Sequence, residues 1–234
     1  MYREDPPRRS RNKTNSFETR KYIAKVYLYV CFGLGIFGLS VYGTIEAFKA
    51  LFPDPYDTEL VFFILSICMF VVFLVGGLGC LFLAKERYFL KLLCFVLVAA
   101  SIGVELSFVL DVTHKVDPNV LWVSAGMTVC TVVLLTPIAF FVKRKTIFFL
   151  SGLLMVLFLG GIFFSFANIF VGSRSVYMLV ECVFLVAFSL ALVVYTYFII
   201  VDKEGGNDDI IQHAYLLFVA VVNIFITLVR INMF

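Results

Sequence analysis

Seven long apolar blocks constrain this chain more than any motif in it. They fall near residues 22–48, 60–84, 89–110, 120–142, 147–171, 176–201 and 210–231. A helix that crosses a bilayer needs about 20 mostly apolar residues, because its backbone must bond to itself where no water reaches. The first six blocks meet that length. The seventh, apolar over 214–229 apart from Asn223 and Thr227, has a shorter strictly apolar stretch, so a short span and a re-entrant helix both stay open. Of 234 residues, 62% are hydrophobic and 15% charged, against about half and about a quarter in a soluble domain. The expected fold is an all-α membrane protein, a compact bundle of seven transmembrane helices over residues 22–234. Residues 1–21 carry Pro6, Pro7 and several Arg and predict a disordered basic arm ahead of the bundle. They lack the short apolar core and small-residue cleavage site of a signal peptide.

Basic residues near the spans set the expected orientation. The arm and the second and fourth connections are rich in them, with Lys85, Arg87 and Lys91, then Lys143, Arg144 and Lys145. The odd connections carry one each: Lys49, Lys115 and Arg174. The amino terminus is therefore expected in the cytosol. The net charge of +3 is too small to point to nucleic acid. Six cysteines (Cys31, Cys68, Cys80, Cys94, Cys130 and Cys182) all lie within apolar blocks and show no metal spacing, so they read as small buried thiols. Gly33, Gly35 and Gly38 match a dinucleotide-binding pattern but follow no strand. Close helix packing is the expected role for them, and for Gly76, Gly77, Gly79, Gly160 and Gly161.

Ionisable and polar groups inside apolar blocks are costly unless paired or hydrated, so they mark candidate sites. Glu105 lies deep in the third block and Glu181 in the first turns of the sixth. His213 opens the seventh, and Asn223, Thr227 and Arg230 follow with Ala220 as a polar stripe expected on one face. Glu105, Glu181, His213, Asn223 and Arg230 are the candidates for an ion pathway. Structural alternatives stand beside this: snorkelling for Glu181 and Arg230, a hydrogen-bonded glutamate for Glu105, a helix anchor for His213. No Gly-x-Ser-x-Gly turn, paired-His pattern or intramembrane Asp pair is present. No catalytic residue, metal ligand or cofactor is expected.

Several stretches together resemble the Bax inhibitor family, most closely its endoplasmic-reticulum branch. They are Lys25-Val26-Tyr27-Leu28 before the first span, Asp117-Pro118-Asn119-Val120-Leu121 before the fourth, and Lys143-Arg144-Lys145 with Phe149-Leu150-Ser151-Gly152 at the fifth. Tyr195-Thr196-Tyr197-Phe198-Ile199-Ile200, a short acidic connection, His213, Leu217-Phe218 and the tail from Asn223 to Ile231 complete them. The likeness covers about residues 20–234. It implies seven helices in an endomembrane, the last short and packed centrally. It also implies suppression of cell death, and a pH-dependent calcium leak tied to an aspartate pair in helices six and seven.

Here the two aspartate positions hold Tyr195 and Ala220. Tyrosine titrates near pH 10 and alanine not at all, so the family's pH sensor is lost. The expected function is a non-enzymatic, anti-apoptotic regulator in the endoplasmic reticulum or another endomembrane. The alternative is a cation leak, with Ca2+ as the transported ion. The expected partners are the lipid bilayer and membrane proteins of the cell-death machinery, not nucleic acid.

Overall fold

In the computed structural model, which describes residues 8–51, 55–206 and 208–233, seven α-helices follow one another. They are α1 (Arg8–Leu51), α2 (Pro55–Phe82), α3 (Tyr88–Val116), α4 (Pro118–Ile138), α5 (Arg144–Val171), α6 (Arg174–Glu204) and α7 (Ile210–Asn232). No strand occurs among the described residues. All seven are long and apolar enough to cross a membrane. Punctuation between them follows local chemistry. Asp117 caps α4 by accepting the Asn119 backbone N–H at 2.9 Å, with Pro118 opening the helix. Gly172 ends α5 in the left-handed conformation, φ 61°, which costs glycine nothing.

Most of the arm read as disordered is helical: α1 begins at Arg8, and residues 1–7 lie outside the described residues. Between Pro7 and Gly33 the chain has no helix breaker and several Arg, Lys and Glu, which favour continued helix. The seventh block, left open between a short span and a re-entrant helix, has the length of a span. It forms one unbroken helix of 23 residues, about 35 Å long, against a hydrocarbon core of about 30 Å.

The centre of the bundle is α7, which packs against α1, α2, α3, α4 and α6. Its buried residues cover most of its circumference and include Ile211, Leu217, Phe218, Val221 and Ile224, leaving one half-buried line through Gln212, Leu216, Val219, Asn223 and Arg230. A helix apolar over most of its circumference is most stable largely surrounded. Small residues let neighbours approach it. A Cβ on Gly77 of α2 would sit 2.7 Å from the Tyr215 hydroxyl, and one on Gly33 of α1 would sit 2.6 Å from Phe95 and 3.0 Å from Phe218. Gly76, Gly79 and Gly161 are similarly tight, but Gly35, Gly38 and Gly160 have nothing within 4 Å and do no packing.

Candidate functional site

The polar groups of α7 form two clusters at its two ends, not one stripe. Asn223 and Arg230 share a half-buried face, with Gln212, Leu216 and Val219 along the same line. His213, Ala220 and Thr227 are buried. The single-stripe expectation fails for His213 because ten residues make about 2.8 turns, not a whole number. His213 therefore faces a different neighbour from Asn223.

The first cluster lies on the amino-terminal side, where α1, α3, α6 and α7 meet. His213 is 2% exposed. Its Nδ1 lies 2.8 Å from the Tyr22 hydroxyl of α1, and its Nε2 lies 3.2 Å from Asp202 Oδ2 of α6. Both ring nitrogens are used, which ties the start of α7 to α1 and α6. Beside it, Asp209 does two jobs. One oxygen caps α7 by accepting the Gln212 N–H at 3.2 Å. The other pairs with Lys91 of α3, which also donates to the Leu83 carbonyl at 3.0 Å. Lys91 is 1% exposed, so this is a buried ion pair, stable only because every charge has a partner. Lys203 pairs with Asp208 at 3.1 Å and stands 5.0 Å above the Tyr22 ring.

Sequence reasoning missed Lys91 and Asp209, counting Lys91 as an orientation charge. A signal existed. Lys91 sits inside the block 89–110, flanked by Leu90 and Leu92, and a lysine there needs a partner as much as Glu105 does.

The second cluster lies at the opposite end. Glu105 of α3, Glu181 of α6, and Asn223 and Arg230 of α7 line one cavity of about 300 Å³. Arg230 Nη1 donates to Glu181 Oε1 at 3.1 Å. Glu181 is 3% exposed, and its Oε2 is buried with no hydrogen-bond partner. Tyr177, one turn earlier on α6, stands beside this pair. Glu105 is half-buried and, among the described residues, has neither an ion pair nor a hydrogen bond. The Asn223 amide nitrogen donates to the Val219 carbonyl at 2.7 Å, which leaves its side-chain oxygen as an acceptor. Thus four of the five pathway candidates meet here, and His213 does not.

The two positions where the resemblance places aspartates belong to neither cluster. Ala220 is 1% exposed, and Tyr195 is half-buried against the core. Neither borders the cavity at Glu105. No group of three or more His, Cys, Asp or Glu that could hold a metal occurs among the described residues. His213 and Ser165 do not converge: Ser165 donates to the Gly161 carbonyl at 2.8 Å and lines a cavity with Arg230, at the far end of α7.

A family model described as Bax1-I, inhibitor of apoptosis-promoting Bax1, matches residues 19–234. No curated protein matches the sequence.

Proposed function

The chain belongs to the Bax inhibitor family, and from that premise we propose that it is a non-enzymatic regulator of cell death. It acts in the membrane of the endoplasmic reticulum or another endomembrane, with its amino terminus in the cytosol, through helix contacts with other membrane proteins. The observation that carries this reading is the burial of Ala220 within the central helix α7. Charge cannot change there, so a titrating pair at that position has nothing to act on. The basic residues of the second and fourth connections support the orientation. The separation of Ser165 from His213 supports a role without catalysis.

Knock-out cells challenged with death stimuli and with reticulum stress test it. Sensitised death, restored by the full chain, is the expected result; a normal response refutes it.

The cavity at Glu105 carries a second reading, a calcium or cation leak. Efflux of calcium from proteoliposomes, followed from about pH 5 to 8, tests that reading. Flux no greater than from empty vesicles removes it.

A further inference from the structure

The cavity between α2 and α6 holds more acceptors than it can satisfy. Glu105 has no partner among the described residues, Glu181 Oε2 is buried without a well-formed hydrogen bond although the Tyr177 hydroxyl stands beside the carboxylate, and Asn223 offers its side-chain oxygen. The cation nearby, Arg230, is engaged by Glu181 Oε1. An unsatisfied buried carboxylate oxygen costs folding free energy and calls for a donor. The missing component is therefore cationic or a strong donor.

The walls narrow the class. Phe70 and Phe73 of α2 form one side, and Phe184 and Phe188 of α6 form the other. Phe184 and Phe188 are stacked, with centroids 6.1 Å apart and planes at 28°. Aromatic faces attract ammonium groups within about 6 Å of the ring. A divalent metal asks for about six to eight oxygens in calcium's case, and no metal-holding group of acidic residues occurs among the described residues. An ammonium needs only one or two carboxylates. The volume, about 300 Å³, is at the small end of ligand sites, which run from about 300 to 1,000 Å³.

The mouth opens sideways. α2 and α6 each pack on α7 and flank the cavity, but they are not among the closely packed helix pairs. Phe70 at the rim is 53% exposed, on the surface that a bilayer would cover. A ligand can therefore enter from the lipid and leave an apolar chain there.

We propose that the cavity lined by Glu105, Glu181 and Asn223 binds the ammonium group of an amine-bearing amphiphile that enters between α2 and α6. The ammonium lies between the two carboxylates and against the Phe184–Phe188 pair, and the chain runs out past Phe70. Arg230 holds Glu181 in place through one nitrogen. This site stands independently of the cell-death reading, since a chain with no effect on cell death could still bind the amine.

The test uses the full chain in dodecyl maltoside, which carries no amine. The thermal midpoint is followed with rising octylammonium chloride, and separately with octanol, potassium chloride and calcium chloride. Octylammonium is expected to raise the midpoint and saturate, as a ligand of the folded state does, while the other three do not. Glu105→Gln removes a charge that has no protein partner, and is expected to weaken octylammonium about tenfold, the loss of one charge-assisted contact. An equal rise with octanol, a rise with calcium alone, or unchanged binding in both Glu105→Gln and Glu181→Gln overturns the proposal. Dihexanoylphosphatidylethanolamine provides a second arm: tighter saturation than octylammonium assigns the ammonium to a lipid headgroup, and weaker saturation assigns it to a free long-chain amine. Photolabelling with a diazirine-bearing alkylamine gives a readout that does not depend on variant stability. Label on α2 and α6 peptides near Phe73 and Phe184 supports the site, and label confined elsewhere refutes it.

Discussion

Replacing Lys91 by Met is expected to lower the unfolding free energy by about 3–5 kcal/mol. Methionine keeps the length and apolar stem of lysine, so packing against α2 and α7 changes little. What goes is the ammonium, which is 1% exposed and serves both Asp209 and the Leu83 carbonyl. Asp209 cannot turn towards water to compensate. Its second oxygen caps α7 through Gln212, and giving up a cap costs about 0.5–2 kcal/mol. The variant therefore buries a lone carboxylate. Asp209→Asn removes the counter-charge of Lys91 and one of two acceptors, since the single amide oxygen of asparagine can serve Gln212 or Lys91 but not both, so it should also cost about 3–5 kcal/mol. The double variant carries no buried charge, so it should lose less than the sum of the single changes by about 2 kcal/mol or more. The assay is equilibrium unfolding of the full chain in dodecyl maltoside with rising dodecyl sulfate, followed by near-ultraviolet circular dichroism. If Lys91→Met falls within about 1 kcal/mol of the parent, or the two changes simply add, the pair does not hold α3 to α7 and the reasoning is wrong.

Other expectations follow from the same packing. Tyr22→Phe removes the hydroxyl at His213 Nδ1 and should cost about 0.5–1.5 kcal/mol in the same unfolding assay; no loss would mean that water replaces it. Gly77→Ala forces the Tyr215 hydroxyl to move from 2.7 Å and should cost about 1–3 kcal/mol. Gly160→Ala meets nothing within 4 Å and should be neutral or stabilising by up to about 1 kcal/mol, so equal losses would refute the packing account. Arg230→Gln weakens the partner of a buried carboxylate and should cost about 1–3 kcal/mol, whereas Glu105→Gln, without ligand, should stay within about 0.5 kcal/mol of the parent.

The seven spans were legible because hydropathy acts locally: a block of apolar residues can satisfy its backbone in a bilayer only as a helix. Pairing is not local. Lys91 and Asp209 are 118 residues apart, Tyr22 and His213 are 191, and Glu181 and Arg230 are 49. No periodicity records such partners. The sequence did mark Glu181 and Arg230 as costly in the membrane, and the bundle joins them in an ion pair. Glu105 differs, because the structure gives it a cavity and no partner. The stripe on α7 was half legible. Asn223 and Arg230, seven residues apart, do share a face; His213 was assigned to it by a spacing that does not close on the helix.

The arrangement of α7 also bears on how easily this bundle could open. One end is tied to α3 by Lys91–Asp209 and to α1 and α6 through His213; the other is tied to α6 by Glu181–Arg230. The middle, around Ala220 and Phe218, is closed by apolar contact. Parting α7 from α3 breaks the buried pair, at about 3–5 kcal/mol, before any loss of apolar packing is counted. At 1.4 kcal/mol per decade, that alone holds an open state to about one molecule in a hundred to one in a few thousand. A titrating carboxylate in the middle of α7 would let pH change that balance. Ala220 gives pH no such grip at the middle of the helix, so there a shift towards an open state would come from a ligand or partner that binds it more tightly than the closed one. This dependence on an external partner favours regulation through contacts over a self-gated leak, and it makes the lateral cavity beside Glu105, close to the Glu181–Arg230 tie, the place where a bound molecule would have most effect.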